Sequence, residues 1–263
     1  MSVRRREGTA VRVTPRPWIG IGVVLAYVVL GFLTKPFFHV DYTTIADSTD
    51  NLLNGIVYPI GVGAVFAALL TTWFGWWRPA MTEARRCTRR WAILPPALLL
   101  LTAVVSLTGT DFGPMSGGYL LTLAVGVLIV GFTEELICRG LAVVGYRGGL
   151  GEVWVWLLSS AAFGLMHATN ALDGQSGRDT ALQVAATFVI GTTLYMVRRI
   201  TGSLVWAMLL HAVWDFSSLA SEHTSSSTAG LSGVLVAATV LSTLLLVRLT
   251  IRDYRPHAAP VTV

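Results

Sequence analysis

The stretch Gly131-Phe-Thr-Glu-Glu-Leu-Ile-Cys-Arg-Gly140 decides how the chain reads. Its two adjacent carboxylates, Glu134 and Glu135, and the cation Arg139 follow one apolar run, Tyr119 to Val130, and precede another, Leu141 to Tyr146. Read as one membrane helix, the segment holds three ionisable groups inside the bilayer. A charge at the bilayer centre costs at least about 2.5–3.5 kcal/mol on insertion scales, so such groups face a polar interior and serve a function. The rest of the chain must supply that interior.

Of the 263 residues, 54% are hydrophobic and 13% charged, with a mean hydropathy of +0.66. Soluble domains carry about 25% charged residues. The composition therefore indicates an all-α polytopic membrane protein with one membrane domain and no sizeable soluble one. Eight apolar runs are marked: Trp18–Leu33, Leu52–Phe74, Trp91–Leu107, Tyr119–Tyr146, Val153–Ala171, Thr180–Val197, Leu204–Ala220 and Leu231–Leu249. Most fit the about 17–25 residues that a membrane helix needs, and no internal repeat stands out. The expected organisation is a flexible basic tail over 1–17, a transmembrane domain over 18–250 and a second tail over 251–263. Arg4, Arg5 and Arg6 ahead of the first run resemble the start of a signal peptide. Lys35-Pro36-Phe37-Phe38 follows without a small-x-small cleavage site, so the run is read as a retained span.

The basic residues orient the spans. With the amino terminus inside, the inner segments hold Arg4, Arg5, Arg6, Arg12, Arg16, Arg78, Arg85, Arg86, Arg89, Arg90, Arg147, Arg198, Arg199, Arg248, Arg252 and Arg255. The outer segments hold Lys35 and Arg178, and Arg139 is intramembrane. Sixteen against two is a strong positive-inside bias, which places both termini in the cytoplasm. The amino-terminal tail and the loop Arg78 to Arg90 are expected to act as topology determinants lying at anionic lipid, and the net charge of +5 does not argue for nucleic acid. Outer loops carry Asp41, Asp47, Asp50, Asp111, Asp173, Asp179 and Glu222, and His223 is read as solvated in a polar linker. Cys87 and Cys138 are placed in a loop and a helix, so no disulfide is expected.

Six ionisable groups then fall within the bilayer on three helices: Glu134, Glu135 and Arg139, His167, and His211 with Asp215. At about 1.5 Å rise per residue, Glu134 lies about 18 Å from its inner helix end, His167 about 21 Å, His211 about 10 Å and Asp215 about 17 Å. They share one slab, provided the fourth helix runs on past Arg139 to Tyr146. Glu135 and Arg139 are i and i+4 with the acid first, so they share a face and can pair. Glu134 lies about 100° round the helix, free to face a different neighbour. His211 and Asp215 are again i and i+4.

A carboxylate beside an imidazole can hold and deprotonate a water. A second imidazole with a polar neighbour can donate to the oxyanion formed when water attacks an amide carbonyl. The inventory suits peptide-bond hydrolysis in or beside the membrane. Neither Gly-x-Ser-x-Gly nor His-Glu-x-x-His is present.

Glu134-Glu135-x-x-x-Arg139, Phe163-x-x-x-His167 and His211-x-x-x-Asp215 together resemble the three motifs of the CPBP (Abi) intramembrane protease family, which includes the type II CAAX prenyl endopeptidases. The motifs stand in family order, each in its own apolar run, and the resemblance covers about 119–220. It implies that Glu134, with His167, activates water, that His211 and Asp215 line the oxyanion site, and that Glu135 and Arg139 support it. Phe163 is expected to pack against His167. The eukaryotic prenyl proteases carry Asn where this chain has Asp215. An ionised Asp repels an oxyanion, so Asp215 is expected to orient His211.

Other readings of the same residues stay open. Two His and two acids could ligate zinc in a metal-dependent variant, although no cofactor is expected. The Glu and His could form the relay of a proton-coupled transporter, or the fold could serve a non-catalytic immunity protein. Trp18, Trp76, Trp77 and Trp91 suit interfacial belts, and Trp214 suits a cavity wall. The expected partners are a membrane-associated peptide or protein substrate and the lipid bilayer, in a bacterial plasma membrane.

Overall fold

The computed structural model describes residues 11–224 and 226–252, and every named element among them is helical. Arg4, Arg5 and Arg6 of the amino-terminal tail and Arg255 and His257 of the carboxy-terminal tail lie outside the described residues. Eight main helices follow the eight apolar runs. They are α1 (Pro17–Thr34), α2 (Thr49–Phe74), α3 (Arg90–Gly109), α4 (Gly117–Tyr146), α5 (Glu152–Met166), α6 (Gly177–Thr201), α7 (Leu204–Thr224) and α8 (Ala229–Arg252).

The helix ends are written locally. Pro17 opens α1, where its fixed φ and missing N–H cost nothing. Ser48, Ser116 and Ser176 cap α2, α4 and α6, each side chain accepting a backbone N–H three residues on. Gly75 and Gly202, at φ 70° and 81°, close α2 and α6 in the left-handed region that glycine adopts freely.

Seven of the eight helices are long and apolar enough to cross a membrane. The exception is α5, with 15 residues, and the sequence-based expectation of a continuous run to Ala171 needs correcting there. The chain changes at His167 to a 3₁₀ helix, His167–Leu172. A 3₁₀ segment rises about 2.0 Å per residue. The two pieces together cover about 34 Å, which is close to the thickness of a bilayer core.

Helix α4 lies at the centre, packed on α1, α2, α5 and α7, while α6 packs on α5, α7 and α8. Glycines permit the closest approaches. A Cβ on Gly131 of α4 would sit 2.5 Å from the Met208 carbonyl oxygen of α7. The first helix begins and the last helix ends at one face of the bundle. There the backbone N–H groups of Arg12 and Val13 donate to the Phe74 carbonyl, and the Cys87 thiol reaches the Leu249 carbonyl.

That face holds a buried ionic network that the loop reading of the arginines did not anticipate. Arg198 and Arg199, counted among the inner segments, are fully buried. Glu83 pairs with Arg147 at 2.9 Å and Arg198 at 3.3 Å, and Glu152 pairs with Arg85 at 2.9 Å, Arg199 at 3.0 Å and Arg147. The Tyr195 hydroxyl also donates to Glu152. Two carboxylates shared among four guanidinium groups let the arginines leave water. Burial alone would push the Glu83 carboxyl up. Arg147 first and Arg198 next outweigh it and hold that carboxyl below its ordinary value.

Two smaller corrections concern the opposite face. Helix α7 runs to Thr224, so Glu222 and His223 belong to it and not to a linker. His223 stacks on Tyr119 with ring centroids 4.4 Å apart, and its Nδ1 lies 2.8 Å from the Ala46 carbonyl oxygen. Cys87 and Cys138 are both buried, and no disulfide joins them.

Candidate active site

The fourth apolar run is one unbroken helix through Tyr146, as the depth argument required, but it is not a regular α-helix. Residues Leu136–Leu141 form a π-helical turn directly after Glu134 and Glu135. Such turns cluster at functional sites because the extra residue re-aims the side chains around it. Here Glu135 and Arg139 still meet, at 2.6 Å, with both side chains fully buried.

The first and third motifs share one histidine. His211 lies with Nδ1 3.1 Å from Glu135 Oε1, and its Nε2 is 3.3 Å from Asp215 Oδ2 and 4.0 Å from Glu134 Oε2. An imidazole can donate from both nitrogens only when it carries two protons, and each His211 nitrogen has a carboxylate oxygen within reach. Glu134 stands apart from this arrangement. Its Oε2 is buried and accepts no hydrogen bond among the described residues.

The second motif closes the site from α5. His167 sits where the α-helix gives way to the 3₁₀ turn, and its Nδ1 is 2.9 Å from the Phe163 carbonyl. A carbonyl can only accept, so Nδ1 carries the hydrogen, and in the neutral ring Nε2 keeps its lone pair. The Phe163 ring is the hub of the three motifs. It meets His167 and His211 edge-on, with centroids at 5.2 and 5.4 Å, and the Arg139 guanidinium lies 3.9 Å from its centroid. Gly191 of α6 makes room for this stack, since a Cβ there would lie 2.5 Å from Arg139 Nη2 and 3.0 Å from Phe163 Cδ1.

Glu134, His167, His211 and Asp215 all line a single cavity of about 500 Å³. Glu135, Arg139 and Phe163 stand behind that wall. Trp214 lines the cavity as its position beside the third motif suggested. No motif or spacing marked Tyr27 of α1, Asn170 or Gln183, which also line it. Asn170 and Gln183 bond each other at 2.8 Å. Their side chains are ordinary in composition, and only the packing of α1 and α6 around the cavity marks them. Among the described residues no group of three or more His, Cys, Asp and Glu side chains is arranged to hold a metal ion.

Residues 116–217 match the family model described as Type II CAAX prenyl endopeptidase Rce1-like. Over that segment the chain is similar to the Rce1-like family. This match agrees with the family that the three motifs resemble, and that family is one of peptide hydrolases. The Rce1-like segment begins at Ser116, the cap of α4, and ends at Ser217 in α7, so it contains all seven motif residues. Helices α1 to α3 and α8 lie outside it. The seven long apolar helices, together with the match over 116–217, identify an integral membrane protein. No curated protein matches the chain.

Proposed function

We propose that the protein is an intramembrane endopeptidase in which Glu134 activates the attacking water. The observation that carries this reading is the contrast between the two adjacent carboxylates. Glu135 is neutralised by Arg139 and His211, whereas Glu134 keeps a free oxygen at the cavity wall beside His167. A base must have an uncommitted lone pair within reach of its water.

In this reading water sits between Glu134 Oε2 and the lone pair of His167 Nε2. Glu134 takes its proton as the oxygen attacks the scissile carbonyl, and that proton later passes to the leaving amine. His211 holds Nδ1 on Glu135 and presents Nε2 toward the cavity, where it donates to the oxyanion. With His211 as imidazolium, its charge and that of Arg139 balance Glu135 and Asp215. Glu134 is then the one uncompensated charge. Asp215 steadies the Nε2 proton and does not itself face the oxyanion. No metal enters this scheme, so cleavage should withstand chelators, and purified protein should hold no stoichiometric zinc.

The test compares membrane and secreted peptides of the host by mass spectrometry, with the wild-type protein against Glu134→Ala. A peptide truncated only with the wild type establishes proteolysis and names the substrate. Cleavage retained by Glu134→Ala removes the base assignment. No differing peptide, with a transport or resistance phenotype still following Glu134, would make the cluster a proton relay.

A further inference from the structure

The lining of the cavity reaches one end of the bundle and not the other. At the arginine-rich face the bundle is closed. Trp76 is fully buried there, its indole N–H donating to the Val13 carbonyl at 2.7 Å, and the network around Glu83 and Glu152 fills the space among α4, α5 and α6. The cavity instead runs from Glu134 and His211 toward Lys35, His39, Tyr42, Asp173 and Glu222. These five stand in or next to the segments between α1 and α2, between α5 and α6, and at the end of α7. In every case this is the side poor in arginine.

The walls of the mouth are α1 and α6. Each packs on other helices, and no packing between them is prominent among the described residues. What joins them is a polar strap. Lys35 pairs with Asp173 at 2.8 Å, the Tyr42 N–H donates to the Asp173 carbonyl at 2.7 Å, and the Gln183 amide donates to the Tyr42 hydroxyl. Below the strap, α1 exposes Val29, Phe32 and Leu33, an apolar surface suited to lipid.

We propose that the site takes its substrate from the outer leaflet, through the gap between α1 and α6 beneath the Lys35–Asp173 strap. The orientation comes from the basic residues: among the described ones, twelve stand on the closed side against two, Lys35 and Arg178, on the open one. The substrate class is a membrane-embedded segment of an exported protein or peptide, and not a lipid-modified tail presented on the cytoplasmic surface. An extended segment sliding in from lipid brings its unpaired backbone amides to the polar groups of the cavity, the one place at that depth where they can be satisfied. The proposal rests on the hydrolase reading above for its chemistry, but the side from which the cavity is reached can be measured without it.

Single cysteines at Phe37 and Arg89 report the two faces. Phe37 is 77% exposed near the mouth, Arg89 is exposed on the closed face, and the native Cys87 and Cys138 are buried and give a low background. Intact cells are treated with a membrane-impermeant maleimide. Phe37→Cys should label at once and Arg89→Cys only after permeabilisation; the reverse order overturns outer access whatever the cleavage assays show. In parallel, new amino termini on intact cells are captured with an impermeant amine reagent, with wild type against Glu134→Ala. Termini that depend on Glu134 and are captured from outside support the route. Glu134-dependent termini found only on cytoplasmic segments overturn it and leave the protease reading standing. If no terminus depends on Glu134 while Phe37→Cys still labels from outside, the protease reading fails and the open face remains.

Discussion

Two neighbouring glutamates with opposite tasks are the clearest case at the scale of single residues. Glu135 is fully buried between Arg139 and His211. Its replacement by Gln would leave Arg139 buried without its partner charge, a change that costs about 3–5 kcal/mol in stability. Glu134 pairs with nothing so closely. Glu134→Gln should leave thermal unfolding in detergent nearly unchanged while cleavage falls by about 10²–10⁴-fold, the usual contribution of a general base. The pair of variants separates structural from chemical roles: Glu135→Gln loses folded protein, and Glu134→Gln loses turnover. Adjacency in sequence told only that the two side chains point about 100° apart. Which one met Arg139 followed from i, i+4 spacing. That His211 would also meet Glu135, 76 residues away, needed the crossing of α4 and α7. Phe163 belongs to the same scale. Its ring holds His167, His211 and Arg139 together, so Phe163→Ala should lower cleavage by more than the loss of one packing contact would suggest. A fall in kcat with KM little changed would mark misplacement of the catalytic groups rather than lost binding.

At the scale of elements the helices behave as rigid carriers, and the contacts between them set the site. Gly131 of α4 lies against the backbone of α7 one turn from His211. In an isolated helix Gly→Ala gains about 1 kcal/mol. Here the added Cβ meets a carbonyl oxygen that belongs to a packed helix, and overpacking of this kind costs about 1–3 kcal/mol. Gly131→Ala should therefore lower both stability and cleavage, because α7 must retreat and carry His211 and Asp215 with it. Gly22→Ala in α1 is the control, with nothing within 4 Å of its Cβ, and should be neutral in both assays. Helix existence was legible from apolar run length for all eight segments. The π turn at Leu136–Leu141 and the change to 3₁₀ at His167 were not, because both leave the apolar pattern of the sequence unaltered.

Across the whole molecule the two faces differ in charge and in closure. The closed face depends on Glu83, whose carboxyl is held below its ordinary value near 4.5 by Arg147 and Arg198 despite its burial. A carboxyl with a lowered folded value contributes stability above its unfolded value, and that stability is lost as the pH falls through the folded one. Thermal unfolding in detergent should show Glu83→Gln less stable than wild type at pH 7. The gap between the two should narrow as the pH drops below about 4.5. A constant gap down to pH 3 would mean that the pairing contributes nothing to the fold.

The amino-acid sequence alone determined the membrane class, the eight helical segments, the three motifs and their common depth. Each follows from local quantities: apolar run length against bilayer thickness, rise per residue, and the spacing that places side chains on one face. The tertiary structure alone decided which face of the bundle is shut, which glutamate is left free, and that Arg198 and Arg199 are buried in pairs with Glu83 and Glu152. Those are choices of partner between residues such as Glu83 and Arg147, 64 positions apart. A charge in low dielectric is stabilised by whichever opposite charge the packing brings to it, and composition does not name that partner.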